Sequence, residues 1–244
     1  PILSSQVPGI FLNNRSLIGF GVGPNSGGNI SIRGISGSPN SRILVLIDGQ
    51  PQFMGIFAHP IADAYSSTDI ERAEVIRGAS SLLYGSNALG GAINLITRKV
   101  SEEGWQGSGK LGYGSFNSAY FSGSLGYKKE NLHTFFSLNR SRTDGYRREG
   151  KDNFKNTTGF FKLGYSFGPA LEISGDIQVA DATYFHPGTS QLPLENDQRD
   201  YFRGRAALAL KNSYEKVDGG LFFFYNWGEH QFREGFNSTD INRG

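Results

Sequence analysis

Two arginines end β-prone stretches in the same form, Ile-Arg-Gly, at Arg33 and Arg77. A guanidinium on a strand end is either solvated or, if the strand is buried, a partner for a carboxylate. Breaking such a buried pair on one side costs about 3–5 kcal/mol. A second group lies in Gln52–His59, QFMGIFAH: Phe53, Met54, Phe57 and His59 offer aromatic, thioether and imidazole surfaces of the kind that suits a flat, apolar or chelated ligand, haem included. A third is Tyr184-Phe185-His186-Pro187 with Arg147, Arg148, Lys151 and Lys155, aromatic and basic groups able to attract an anionic chelate. Each group also has a plainer reading, as a solvated strand end, a loop packed on its neighbours and a solvated loop respectively. Asp144, Asp152 and Asp181 are too sparse and scattered to make a calcium loop.

Catalytic constellations are missing. The sequence has no GxSxG, HExxH, HxxEH or Walker-type phosphate loop, and His59, His133, His186 and His230 are far apart. With no cysteine in 244 residues, disulfide scaffolds and thiolate metal sites are excluded. A net charge of +2 from scattered Lys and Arg gives no footing for nucleic acid. No run approaches 18 apolar residues, so no transmembrane helix is predicted. The mean hydropathy is negative, which fits a soluble protein or a membrane β-barrel equally, because only alternate barrel residues face lipid.

The elements that must position these groups fall into two sets. In the first, Ile30–Gly34, Ile43–Gly49, Ile70–Ile76 and Ala92–Thr97 read as strands. Ser80–Gly85 reads as a short capped helical turn, and Gly34, Gly78, Gly85, Gly90 and Gly91 as backbone devices for positive φ or close approach. In the second, from Trp105 onward, seven segments alternate with period two: 105–114, 117–128, 131–143, 157–167, 170–180, 201–211 and 214–228. Residues 170–180 set Leu171, Ile173, Ile177 and Val179 against Glu172, Ser174, Asp176 and Gln178. Leu221–Tyr225 is apolar on both faces and has no phase. Short turns are expected at Lys129-Glu130, Gly168-Pro169 and Asn212-Ser213, long loops at 144–156, at 181–200 and after 228, and Tyr184 and Phe185 fall in the second of these. Such alternation of short and long connections is the outer-membrane barrel pattern.

VPGI at Val7–Ile10, ISIRG at Ile30–Gly34, LIDGQP at Leu46–Pro51 and IERAEVIRGASSLLYGSNALGGAINLITR at Ile70–Arg98 stand in an order and spacing that resemble the plug domain of TonB-dependent outer-membrane receptors. Ala79 departs from the proline usual there. The resemblance implies an α+β plug over 1–99, a connector over 100–104, and over 105–244 the first antiparallel transmembrane strands of a β-barrel. Plugged barrels use roughly 22 strands, so the chain is expected to be a piece of a longer one, lacking the segment that engages TonB.

The resemblance further implies that Arg33 and Arg77 latch the plug to carboxylates of the barrel wall. It implies that the loop carrying Phe53, Met54, Phe57 and His59 rises to the outer mouth, and that Tyr184 and Phe185 stand in an outer loop. The implied activity is TonB-dependent import across the Gram-negative outer membrane, without a resident cofactor. Ferric siderophore is the first expected ligand, then haem or cobalamin. The rivals are a passive porin or adhesin-type barrel, a TonB-dependent glycan importer and a soluble all-β module.

Overall fold

The computed structural model describes residues 7–12, 19, 30–35, 42–52, 60–78, 84 and 86–237. Within them β1 (Ile10–Leu12) pairs with β2 (Ile30–Ile32). β3 (Ile43–Ile47), β4 (Gln50–Pro51), β5 (Ile70–Arg77) and β6 (Gly91–Thr97) form a four-stranded sheet in the order β4-β3-β6-β5, with β3 and β6 parallel. All five residues of β3 are buried, as a two-faced apolar run requires. Ile43, Val45 and Ile47 pack with Ile10, Ile30, Ile32, Ile93 and Leu95, while Leu44 and Leu46 pack on the other face with Ala88 and Ala92.

Asp48 and Gly49 join β3 to β4 with φ of 49° and 83°, as a two-residue hairpin turn of the primed kind demands. Gly91 opens β6 at φ 136°, and a Cβ there would stand 2.4 Å from the carbonyl oxygen of Ile76. Gly90 carries a Cβ-sized space already filled by Ile43 and Ile35. Gly34 and Gly78 also take positive φ. Gly85 and nearly all of the expected turn at 80–85 lie outside the described residues.

The second sheet has seven antiparallel strands in chain order: β7 (Gly104–Gly114), β8 (Ser118–Lys129), β9 (Leu132–Thr143), β10 (Phe154–Ser166), β11 (Leu171–Phe185), β13 (Gln198–Tyr214) and β14 (Val217–Arg233). A short β12 (Leu194–Glu195) pairs instead with β15 (Phe236–Asn237). At about 3.4 Å per residue, even the 11 residues of β7 span roughly 37 Å, enough to cross a bilayer with tilt.

Burial in this sheet is inverted relative to a water-soluble one. Phe121, Leu125, Phe161, Leu163, Ile173, Ile177 and Leu208 are exposed, while His133, Ser137, Thr158, Gln178 and Arg205 are buried. The alternation read from the sequence is therefore correct, with its apolar side outward. That side meets lipid, and the soluble all-β reading fails on it. Leu221, Phe223 and Tyr225 lie opposite Leu210, Leu208 and Ala206 and so share the outward face. Phe222 and Phe224 then fall on the inward face with Asn226, which reaches Pro51.

Several expected boundaries need correction, and β14 runs to 233 where a loop was expected after 228. β10 begins at 154 rather than 157, β11 runs to 185 rather than 180, and β13 starts at 198 rather than 201. These polar ends pair with one another, for example Lys155 with Thr183 and Thr183 with Asp200. By the two-residue alternation Lys155, Thr183 and Asp200 stand on the same outward side as Phe161, Ile177 and Leu208, at the far-rim ends of strands that continue where a loop was expected. Tyr184 and Phe185 accordingly close a strand. The expected turn at Asn212-Ser213 lies instead at Glu215-Lys216, because Ser213 still pairs with Asp218.

Phe161→Arg, near the middle of β10 on the lipid side, is expected to cost about 2–4 kcal/mol of folding stability in a bilayer. Phe167→Arg, at the turn, should cost no more than about 1 kcal/mol. Urea titration of the whole receptor folded into lipid vesicles measures both.

Candidate functional site

The inward face of the wall receives the four-stranded sheet along a polar seam. At one end, Asn156 Nδ2 donates to Asp63 O at 2.9 Å and Gln178 Nε2 to Ala64 O at 3.2 Å. Next, Thr68 Oγ1 lies 2.7 Å from Ser122 Oγ and donates to Asn139 Oδ1 at 2.8 Å. Asn139 in turn donates to Thr158. Ser137 donates to the carboxylate of the buried Asp69. At the other end, Lys162 bonds Asp48 and Thr97, Arg205 Nη2 donates to Gln50 Oε1 at 3.2 Å, and Asn226 Nδ2 donates to Pro51 O at 3.1 Å. A cavity of about 20 Å³ lined by Gln52, Tyr65, Gln178, Arg203 and Arg205 has room for one water.

Apolar contacts fill the gaps. Ile61 and Ala64 pack against Phe154, Ala180, Ala182, Tyr184 and Tyr201, and Val100 of the connector packs against Phe135 and Phe160. The connector is also tied to the wall's near rim by Lys99–Glu172 and by Glu103, whose carboxylate accepts the Glu130 amide at 3.1 Å.

Burial governs the ionisation of the inner groups. It pushes the Asp69 carboxyl up to about 6, against the lowering influence of the Ser137 hydrogen bond and of Arg98. It drives Tyr65 up to about 12, despite Arg203 and Arg205 nearby. Burial also opposes charge on Asp48, but Lys162 and the Thr97 hydrogen bonds outweigh it and hold that carboxyl below the ordinary value.

The residues singled out in the sequence are dispersed. Arg33 and Arg77 are exposed, and no described carboxylate pairs with either. Arg33 follows β2 in a turn, at φ 52°, with its amide on Gly9 O at 2.7 Å. Glu71 and Glu74 pair locally with Arg72, at 3.7 and 3.0 Å. Phe53, Met54, Phe57 and His59 lie outside the described residues.

Tyr184 is buried between the wall and the inner sheet, 6.4 Å from the Tyr201 ring, and Phe185 lies under the Lys151 ammonium at 5.8 Å. The two long loops form one layer at the far rim. Arg147 donates to Gly188 O at 3.0 Å, Lys151 to Asn196 Oδ1 at 2.7 Å, and the His186 amide to Asp197 O at 2.8 Å. Asp152 accepts the Tyr146 and Arg147 amides and Asp144 accepts from Asn117, so both act within the loop layer.

Sequence reasoning missed Asp48, Thr68, Asp69, Ser137, Lys162 and Arg205. The available signals were the polar side of the alternation, which already held Asp176 and Gln178, and the Asp48-Gly49 pair, a turn dipeptide at the end of an expected strand.

A strand wall with an apolar outside and a polar inside, holding a small sheet against its inner face, defines an outer-membrane barrel with an internal plug. Residues 2–92 match the TonB-dependent Receptor Plug Domain family, so this part of the chain is similar to the plugs of TonB-dependent outer-membrane receptors. Those relatives are receptors and transporters rather than enzymes.

The "Iron-regulated outer membrane virulence protein" of Vibrio cholerae serotype O1 is 38% identical over 99 residues, covering 37% of this chain and 15% of that protein. The chain thus spans about one-seventh of that relative's length. Among solved structures, the "Copper transporter OprC" superposes with TM-score 0.72 at 18% identity over 94% of this chain and 35% of its own. The ferric yersiniabactin uptake receptor FyuA from Yersinia pestis gives 0.71 at 17% identity, over 97% and 39%. The siderophore receptor PirA from Acinetobacter baumannii gives 0.68 at 22%, over 93% and 37%. At these identities the likeness is one of fold.

Asp69 sets a pH dependence. Its raised folded value means that Asp69's own contribution is greatest below about 3.8, where the carboxyl is neutral folded or unfolded, and is lost as pH rises through about 6. The stability of the receptor should therefore fall between pH 4 and pH 7. Asp69→Asn should remove this component, as thermal unfolding across that range would report.

Proposed function

We propose that this chain is the plug and first wall strands of a receptor that imports a metal chelate across the outer membrane, driven by TonB. The observation that carries this reading is the seam itself. The plug is seated on the wall by hydrogen bonds and ion pairs rather than by a continuous apolar core, a contact that force can open and water can re-solvate.

A ligand arriving from outside meets the far-rim layer, where Phe185, Lys151, Arg147 and Arg148 supply aromatic and cationic surface. It then reaches the plug loop bearing Phe53, Met54, Phe57 and His59. Tyr184, buried behind this layer, supports the floor and contacts ligand only once the plug shifts. Arg33 and Arg77 latch the plug to carboxylates further round the wall, and TonB pulls on the plug from the periplasm. A ferric siderophore is the first choice of ligand, supported by the iron-regulated relative and by the siderophore receptors among the fold neighbours. Haem and cobalamin follow. The copper transporter of the same fold adds a copper chelate to the panel.

Uptake of labelled ferric siderophores, haem, cobalamin and copper by cells carrying the whole receptor tests this directly. Accumulation of one of them should stop when a protonophore collapses the inner-membrane gradient. Accumulation indifferent to the protonophore would favour a passive porin, and uptake of oligosaccharides alone would favour a glycan importer.

A further inference from the structure

The near-rim end of the seam contains more charge than its neighbours, and the charges alternate. Lys162 on β10 stands beside Asp176 on β11 in register, and Arg205 on β13 reaches back to Asp176. Against this plus-minus-plus row the plug presents Asp48. The side chains of Lys162 and Asp48 are only 12% and 15% exposed, so each requires the other's charge.

The hydrogen bonds are mutual. Lys162 Nζ donates to Asp48 Oδ2 at 3.2 Å and to Thr97 Oγ1 at 2.6 Å. Thr97 donates its hydroxyl to Asp48 Oδ2 at 2.6 Å and its amide to Asp48 Oδ1 at 2.9 Å. Asp48 cannot drift from this geometry, because it sits in the left-handed region within a two-residue turn. Gln50 and Pro51, immediately after that turn, are held by Arg205 and Asn226. Wall strands β10, β13 and β14 thus grip plug residues 48–51 and 97, where β3, β4 and β6 end and the chain leaves for the wall.

We infer that Lys162 and Asp48, backed by Asp176, Arg205 and Thr97, form an ionic clasp that holds the plug's hairpin edge to the first wall strands and sets how readily a passage opens along this side. It is separate from Arg33 and Arg77, which are exposed and pair with no described carboxylate. The inference rests on the reading of the plug as a displaceable body, and its test does not require knowledge of the ligand.

The whole receptor in planar lipid bilayers, titrated with urea, reports plug displacement as ionic current through the barrel. Asp48→Asn and Lys162→Met should each raise the open fraction at intermediate urea by at least about tenfold. The double variant should be no worse than the worse single, and Lys162→Arg should restore most of the wild-type threshold. The barrel's heat-modifiable migration in gels should remain unchanged in all of them. Wild-type urea thresholds in both single variants, or effects that simply add, would overturn the clasp. If Lys162→Met prevents assembly, Asp48→Asn and Lys162→Arg still decide, because the first leaves the wall untouched and the second keeps the wall's charge. Protonophore-insensitive uptake would overturn the transport reading while leaving these currents interpretable.

Discussion

A strand that crosses lipid must satisfy every backbone polar group through its neighbours, because hydrocarbon offers no partner and each orphan costs several kcal/mol. That constraint sets the rest of the structure. It forces an unbroken antiparallel meander from β7 to β14, and with it a strict alternation of side chains between lipid and interior. Once Phe161, Ile177 and Leu208 are committed to lipid, their neighbours Lys162, Gln178 and Ala207 must face inward. The interior face here carries buried polar groups such as Ser137, Thr158, Gln178 and Arg205, so a body seated on it has to satisfy them by hydrogen bonds and charge, with apolar contacts between.

The plug meets that requirement with its edges and ends rather than its core. β3 is enclosed within the plug on both faces, while the seam falls on the turn at Asp48, the segment at Asp63–Asp69 and the end of β6 at Thr97. Internal cohesion and external attachment are thus assigned to different residues. The plug can loosen at the seam while its apolar clusters stay intact, which is the physical property a displaceable stopper needs. The attachments also differ in kind. The Thr68–Ser122–Asn139 group is neutral, Asp69 is easily protonated, and the Lys162–Asp48 end, with Lys99–Glu172 nearby, is ionic.

Much of this fold was legible in the sequence, and the limits have physical causes. The β3 and β6 runs and the inward and outward sets of β11 follow from periodicity, and the plug motifs carry the resemblance, while Asp48 and Gly49, read as the end of a strand, form the turn after it. The outer ends of β10, β11 and β13 were misplaced because Lys155, Thr183 and Asp200 look like loop residues. The strands run on past their apolar outward band, so hydrophilic residues on the outward side at the far rim are still paired in the sheet. Leu221–Tyr225 gave no phase because Phe222 and Phe224 are apolar on the inward side, and only pairing with Leu208 and Leu210 resolves it. The seam was hidden for a different reason. Thr68, Ser137 and Lys162 belong to no motif, and their roles arise from two sheets separated by many residues of chain.

The central claim is that one face of each wall strand meets lipid and the other meets the plug. Single cysteines placed along β11 from 172 to 180, each carrying a fluorophore, test it in the whole receptor in vesicles containing a lipid-phase quencher. Strong quenching at 173, 177 and 179 with little at 172, 176 and 178 is the predicted result. Quenching without a two-residue period, or with the opposite phase, would contradict the account.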